Sequence, residues 1–233
     1  MDNFLAEPAS GAPLIEVALT RMKRAIICGE LEPGAKLKVE TLSKSYGLSS
    51  SPIREALNRL AQDGIVTASD NKGFRVAPIS IEDFQEISRL RILLECEALS
   101  DAMTYGDDNW EGDILASFHR LSAAEKRLES GPVALDDDWS GRHKAFHFAL
   151  FSACPSPLLL GLINSLFDRA ERYRRYSARH RQVARNKNNE HQLLMKAVLS
   201  GDKPKATAML RQHIEQTQGN VRQALEREAA TLQ

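Results

Sequence analysis

The chain has 233 residues, with 31 Lys+Arg against 31 Asp+Glu, 42% hydrophobic and 27% charged. That is ordinary globular composition, too long for a disulfide-stapled mini-protein and long enough for one large or two medium domains. Zero formal net charge counts, as a total, against a nucleic-acid binder, because such proteins usually carry a basic surplus.

Residues 1–10 (MDNFLAEPAS) are small and polar and read as a loose tail. Leu14, Val17, Met22, Ala25 and Ile26 then recur at helical spacing until Gly29. Pro33-Gly34 marks a turn, a short helix is expected over Val39–Tyr46, and Gly47-Leu48-Ser49 breaks it. A third helix runs from Ser50 to about Asp63 and stops at Gly64. The period then changes to two. Ile65, Val66 and Ala68, followed by Phe74, Val76 and Pro78, flank the polar tip Asp70-Asn71-Lys72-Gly73, which predicts a β-hairpin. Three helices and a hairpin outline a winged helix-turn-helix.

Everything beyond residue 79 reads as helix. Ser80 and Asp83 form a possible capping box for a long helix to Tyr105. Further helices are expected over about 109–129, 138–153, 156–180, 187–200 and 203–228. The fold class is therefore mainly α, with an N-terminal winged helix-turn-helix (11–79) and a C-terminal all-α bundle of six or seven helices (80–228).

The longest apolar stretch, around Pro157–Phe167, falls well short of the roughly 20 residues needed to cross a bilayer. Met1–Gly11 has no cationic start followed by an apolar core, so no signal peptide is expected. Cys28, Cys96 and Cys154 are odd in number and widely spaced, which fits reduced thiols and a cytoplasmic location. CxxC, GxxxxGK[ST], GxGxxG and GxSxG motifs are all missing.

On the third helix, Ile53, Leu57, Leu60 and Ala61 form one apolar face. Ser49 sits where a cap is needed, and Pro52 falls in the first turn, where its missing N–H has no partner to lose. The remaining surface shows Ser50, Ser51, Arg54 and Asn58. It could be a plain solvated face, or it could offer hydroxyls and free N–H groups to phosphate and one arginine to guanine.

In the helical part, His143 and His147 stand one turn apart, a chelating spacing that equally suits two structural histidines. His191 lies in register with Leu194 and Val198, and His213 follows Met209 and Leu210, so both face inward. A half-satisfied inward imidazole is costly unless paired or metallated. His119 and His180 read as structural or surface residues. Arg91 sits on the apolar stripe Phe84, Ile87, Leu94 and Ala98; its partner is either Glu95 at i+4 or a ligand carboxylate held by two prongs. The stripe Leu162, Leu166, Arg169, Tyr173 and Ser177 turns polar along its length, which makes Arg169 and Tyr173 further effector-binding candidates. The basic run 169–187 reads mostly as a solvated face, with a few members available to an anion pocket or DNA phosphates.

The string G-x-K-L-x-x-x-x-L-x-x-x-x-G-L-S-x-S-P-I-R-E-A-L-x-R-L-x-x-D-G-I-V, from Gly34 to Val66, resembles the winged-helix domain of the GntR family of bacterial transcription regulators. The resemblance implies operator contacts from Ser49, Ser50, Ser51, Arg54 and the wing tip Lys72-Gly73. Many relatives have arginine at the position of Ser50 and some have a basic residue at that of Glu40, which places more weight on Arg54. Leu90-Arg91-x-x-Leu94-Glu95, His143-x-x-Phe146-His147-x-x-Leu150-x-x-Ala153-Cys154, Glu190-His191 and Ala206-x-x-x-Leu210-x-x-His213-Ile214 resemble the FCD domain of the FadR subfamily. The text around His143–Leu160 and Ala170–Arg175 also resembles regulators of short-dicarboxylate (glutarate-type) catabolism, the CsiR-like branch.

Metal-binding FCD domains use one aspartate and three histidines; by resemblance these positions fall on His143, His147, His191 and His213. The implied cofactor is a divalent ion, zinc first, with nickel or manganese as alternatives. Four neutral imidazoles leave a net +2 centre where an aspartate would leave +1, which favours an anionic effector. The implied protein is a homodimeric repressor, bound to a palindromic operator and controlled by a small carboxylate or dicarboxylate. A metal-dependent enzyme using the four histidines is the alternative.

The charge total also divides. Residues 1–79 hold ten basic and nine acidic residues (+1), leaving 21 and 22 for the rest (−1). The head must therefore gather its cations locally, at Lys36, Lys38, Arg54, Lys72 and Arg75.

Overall fold

The computed structural model describes residues 11–69, 73–127, 136–179 and 189–231. The chain divides into two compact units, Met1–Ser80 and Ile81–Gln233. The fold class expected from sequence is the one observed.

In the first unit α1 (Leu14–Ile27), α2 (Val39–Tyr46) and α3 (Ser50–Gln62) pack around Met22, Ile26, Leu42, Ile53, Leu57 and Leu60. Gly47 ends α2 at φ 65° and ψ 31°, a left-handed conformation that a side chain would strain, so the chain reverses there into α3. Strands β2 (Val66–Ser69) and β3 (Gly73–Val76) form the expected hairpin, with Val66 opposite Val76 and Ser69 opposite Gly73. A two-residue strand β1 (Lys36–Leu37), which the turn-rich sequence does not signal, pairs with the other edge of β3 and gives the order β1-β3-β2. Residues 70–72 at the hairpin tip lie outside the described residues, Lys72 among them.

The second unit contains α4 (Ile81–Tyr105), α5 (Asp108–Arg127), α6 (Asp137–Phe151), α7 (Pro157–Arg179), α8 (Glu190–Leu199) and α9 (Lys203–Thr231). Asp136 caps α6 by accepting from the Trp139 N–H at 2.6 Å. Helix α6 lies in the middle: Trp139, His143, Phe146, His147, Leu150 and Phe151 are all buried, against α4, α5 and α7. Helix α6 is buried over most of its circumference although it carries His, Lys and Ser, and this position explains why its histidines are dry. Helix α9 closes the core with Ala206, Leu210 and Ile214, one turn apart on a single face. Among the described residues no helix is long and apolar enough to cross a membrane.

Candidate functional site

His143 and His147 come from adjacent turns of α6, His191 from the first turn of α8 and His213 from the middle of α9. One ring nitrogen of each lies within 4.8 Å of those of the other three. The rings meet pairwise at 4.6 Å (His143 to His147), 4.9 Å (His191 to His213) and 5.1 Å (His143 to His191) between centroids. His147 is 0% exposed, yet neither of its ring nitrogens has a hydrogen-bond partner; Nδ1 of His143 and Nε2 of His191 are likewise buried without one. Buried polar atoms nearly always find partners, so several orphaned nitrogens at one point fit a missing cation. Four imidazoles are a donor set suited to zinc, copper, iron or nickel, and less so to manganese, which prefers oxygen.

The electrostatics fit the same reading, because an imidazole must be neutral to ligate. Burial pushes His143 well below its ordinary pKa, helped by His147 and Arg174. His147 is pushed well below by burial, then by His213 and His191. Burial lowers His213 to about 4, against the opposing effect of its hydrogen bond to Glu190. Two carboxylates stand outside the cluster: Glu125 of α5 lies 3.2 Å from Nδ1 of His191, and Glu190 of α8 lies 3.0 Å from Nδ1 of His213. A cavity of about 330 Å³ opens on the His213 side, lined by Glu190, His213, Leu193, Met209 and the amides of Gln212 and Gln216.

Arginines flank the cluster. Arg91 is buried and holds Glu95 by two contacts, Nε to Oε1 at 2.5 Å and Nη2 to Oε2 at 3.2 Å, so of its two expected partners the internal one is engaged. Its guanidinium lies 4.8 Å from the centre of the Phe167 ring, and that of Arg174 lies 4.5 Å from the same ring. Arg174 donates from Nε to Glu171 at 2.8 Å; its Nη2 is 2.7 Å from the same oxygen but off the hydrogen-bonding direction. Burial alone pushes the Glu171 pKa up, but Arg174 and Arg175 outweigh it and hold the carboxyl below its ordinary value.

Two sequence expectations need correcting here. The inward face of α7 is Ile163, Phe167, Ala170 and Arg174, whereas Leu162 is 49% exposed. The first half of the expected stripe, Leu162, Leu166 and Arg169, is one residue out of phase, whereas its second half, Tyr173 and Ser177, is buried as expected. Arg169 and Tyr173 meet Asp83 of α4, each at 2.7 Å from one of its carboxylate oxygens, and the buried Tyr173 ring stacks on Phe84; Phe167 is the α7 residue whose ring lies against His143 and His147, with the Arg174 guanidinium over it. Among the described residues of the basic run, Arg172, Arg174 and Arg175 are buried and Arg179 is exposed, so that part is not mainly a solvated face; residues 180–188, including His180, lie outside the described residues. Glu171, one turn before Arg174 and Arg175, is the available signal, since a lone acid amid arginines suggests an internal salt bridge. His119 is exposed.

In the first unit α3 buries Ile53, Ala56, Leu57 and Leu60 and leaves Ser50, Ser51, Arg54 and Asn58 exposed. Ser49 holds the N-cap position with extended backbone, but its hydroxyl makes no capping bond, which leaves the first-turn N–H groups available to an anion. Arg54 has no ion pair or hydrogen bond among the described residues, whereas Arg59 is tied to Glu16 and Glu55 at 2.7 and 3.0 Å. Arg75 donates to the Gly34 carbonyl, and Gly73 is exposed at the start of β3.

Residues 14–76 match the profile of bacterial regulatory proteins of the gntR family, and residues 86–216 match the FCD domain. An uncharacterized HTH-type transcriptional regulator, BphR of Paraburkholderia xenovorans, is 38% identical over 90% of this chain and 86% of its own length. The HTH-type transcriptional repressor GlaR of Escherichia coli is 37% identical over 83% of this chain and 89% of its own. Among solved structures, E. coli McbR/YncC superposes with a TM-score of 0.73 at 22% identity, covering 91% of this chain and 98% of that one, which is a likeness of fold.

Proposed function

For a chain that belongs to the GntR family of bacterial transcription regulators and carries an FCD domain, we propose the role of a repressor whose operator affinity is set by a small carboxylate bound at a metal ion in the helical unit. The observation that carries this reading is the convergence of four imidazoles with orphaned nitrogens inside 4.8 Å. His143, His147, His191 and His213 would hold the ion, zinc first and nickel next, with manganese least suited to an all-nitrogen set. An ion that accepts six ligands keeps two positions for an acid, whose free oxygens would meet Arg91 and the misaligned Nη2 of Arg174. Arg91 is held by Glu95 as Arg169 and Tyr173 are by Asp83, so an acid at any of the three would share the side chain with an internal carboxylate.

In this reading residues 11–79 form the DNA-binding head and 80–228 the effector and dimerisation domain. Arg54 reads a base edge, Ser49, Ser50, Ser51 and Asn58 hold the backbone, and Lys72-Gly73 follow it into the neighbouring groove. Two heads of a homodimer match a palindromic operator in the cytoplasm. The acid controls repression only through different affinities for two arrangements of the protein. The metalloenzyme alternative draws little from the site. A hydrolytic metal site needs a general base facing the ion, and the nearest carboxylates, Glu125 and Glu190, are engaged on the outer nitrogens of His191 and His213.

The test is a metal assay on protein purified without chelator, joined to a gel-shift titration on the DNA upstream of its own gene. Succinate, glutarate and adipate are added in turn. Release by one acid and not the others identifies the effector; no specific shift at low salt removes the reading.

A further inference from the structure

We propose that Glu125 and Glu190 are positioning residues of the metal centre, each accepting a hydrogen bond from Nδ1–H of one ligating imidazole and so turning its Nε2 inward. This rests on the metal reading above. The four ligands are held in two different ways. His143 and His147 share one buried helix, whose i,i+4 geometry fixes their spacing, and the His143 ring is stacked on Trp139 at 4.7 Å. His191 and His213 come from separate helices and have no such common frame. Each is instead braced from another element: α5 reaches α8 through Glu125 and His191, and α8 reaches α9 through Glu190 and His213. Glu190 serves a ring 23 residues away in sequence.

The chemistry of the bond decides the tautomer. An ionised carboxylate only accepts, so the facing Nδ1 must carry the proton and the lone pair must sit on Nε2. Nε2 of His191 is buried without a partner, as an atom aimed at an ion would be. The two carboxylates also change the charge count. A divalent ion among four neutral imidazoles is +2; the two outer carboxylates bring the assembly to zero. Groups of this kind typically change metal affinity by about 10–100-fold when removed.

The experiment uses the full-length protein, the variants Glu125→Gln and Glu190→Gln, and the control Glu226→Gln, whose carboxylate lies in an exposed pair with Arg222. Zinc affinity is read by competition with a chelator of known strength, the metal-free melting temperature by circular dichroism, and the imidazole tautomers of zinc-free wild type by long-range 15N–1H NMR. Each site variant should bind zinc about 10–100-fold more weakly with an unmoved metal-free melting temperature, and the control should match wild type. His191 and His213 should carry their protons on Nδ1. Equal zinc affinity in the Gln variants, or Nε2–H tautomers in wild type, overturns the assignment; the tautomer measurement decides even if a variant fails to fold. Wild type that binds none of zinc, nickel or manganese sinks the metal reading itself, a result distinct from metal-binding wild type with indifferent variants.

Discussion

Acidifying the chelator-treated protein from about pH 7.5 to about 5.5 should weaken its helical unit by an amount that one residue makes calculable. Burial holds His213 near 4, against an ordinary 6.5. At pH 5.5 the imidazole of the unfolded chain is about ten-to-one protonated while the folded one stays neutral. Proton uptake by the unfolded state alone therefore costs the fold about 1.4 kcal/mol. The sign follows from the lowered folded-state value: the stability is present above 6.5, falls as the pH drops through the window and levels off near 4. His143 and His147, also held down by burial, add loss of the same sign. Glu171 is held below 4.5, so its own loss begins only beneath that window. Both tryptophans, Trp110 and Trp139, lie in the helical unit, so urea unfolding followed by their fluorescence reports that unit alone. With a urea slope of about 1–3 kcal/mol per molar, His213 by itself should move the midpoint by about 0.5–1.4 M. His213→Gln should shrink the pH-dependent drop by that share, and saturating zinc should flatten it. A midpoint unchanged between the two pH values, or a drop that His213→Gln leaves whole, refutes the reasoning.

Arg54→Ala should weaken operator binding by about 1–3 kcal/mol in a gel shift at fixed salt; an unaltered affinity would place the recognition helix elsewhere. Lys144 and Asp168 form a buried pair at 2.6 Å between α6 and α7, so Asp168→Ala, which removes a carboxylate from a buried cation, should cost about 3–5 kcal/mol in urea unfolding. Zinc titration should change the fluorescence of Trp139, stacked on His143, and His143→Ala should abolish that change without removing Trp110 emission.

Residues whose role is set by local rules were legible in the sequence. Gly47, Gly64 and the apolar spacing of Ile53, Leu57 and Leu60 fixed the head, and the inward register of His191 and His213 followed from their own helices. The phase of α7 was not, because Leu162 and Ile163 are both apolar and only packing selects which one turns inward. Strand β1 is two residues held by pairing with β3, which no local pattern announces. Glu125 and Asp83 act across 66 and 86–90 residues of sequence, on His191 and on Arg169 with Tyr173, so their roles exist only once the helices are assembled.

Asp83 lies three residues past the division at Ser80, in the first turn of the helical unit. Arg169 and Tyr173 fasten it to α7, and Phe167 and Arg174 of that same helix border the imidazole cluster. Less than two turns of one stiff rod thus separate the anchorage of the interdomain tether from the place where an ion and an acid would dock. A tilt of α7 would therefore be felt at Asp83, through its contacts with Arg169 and Tyr173.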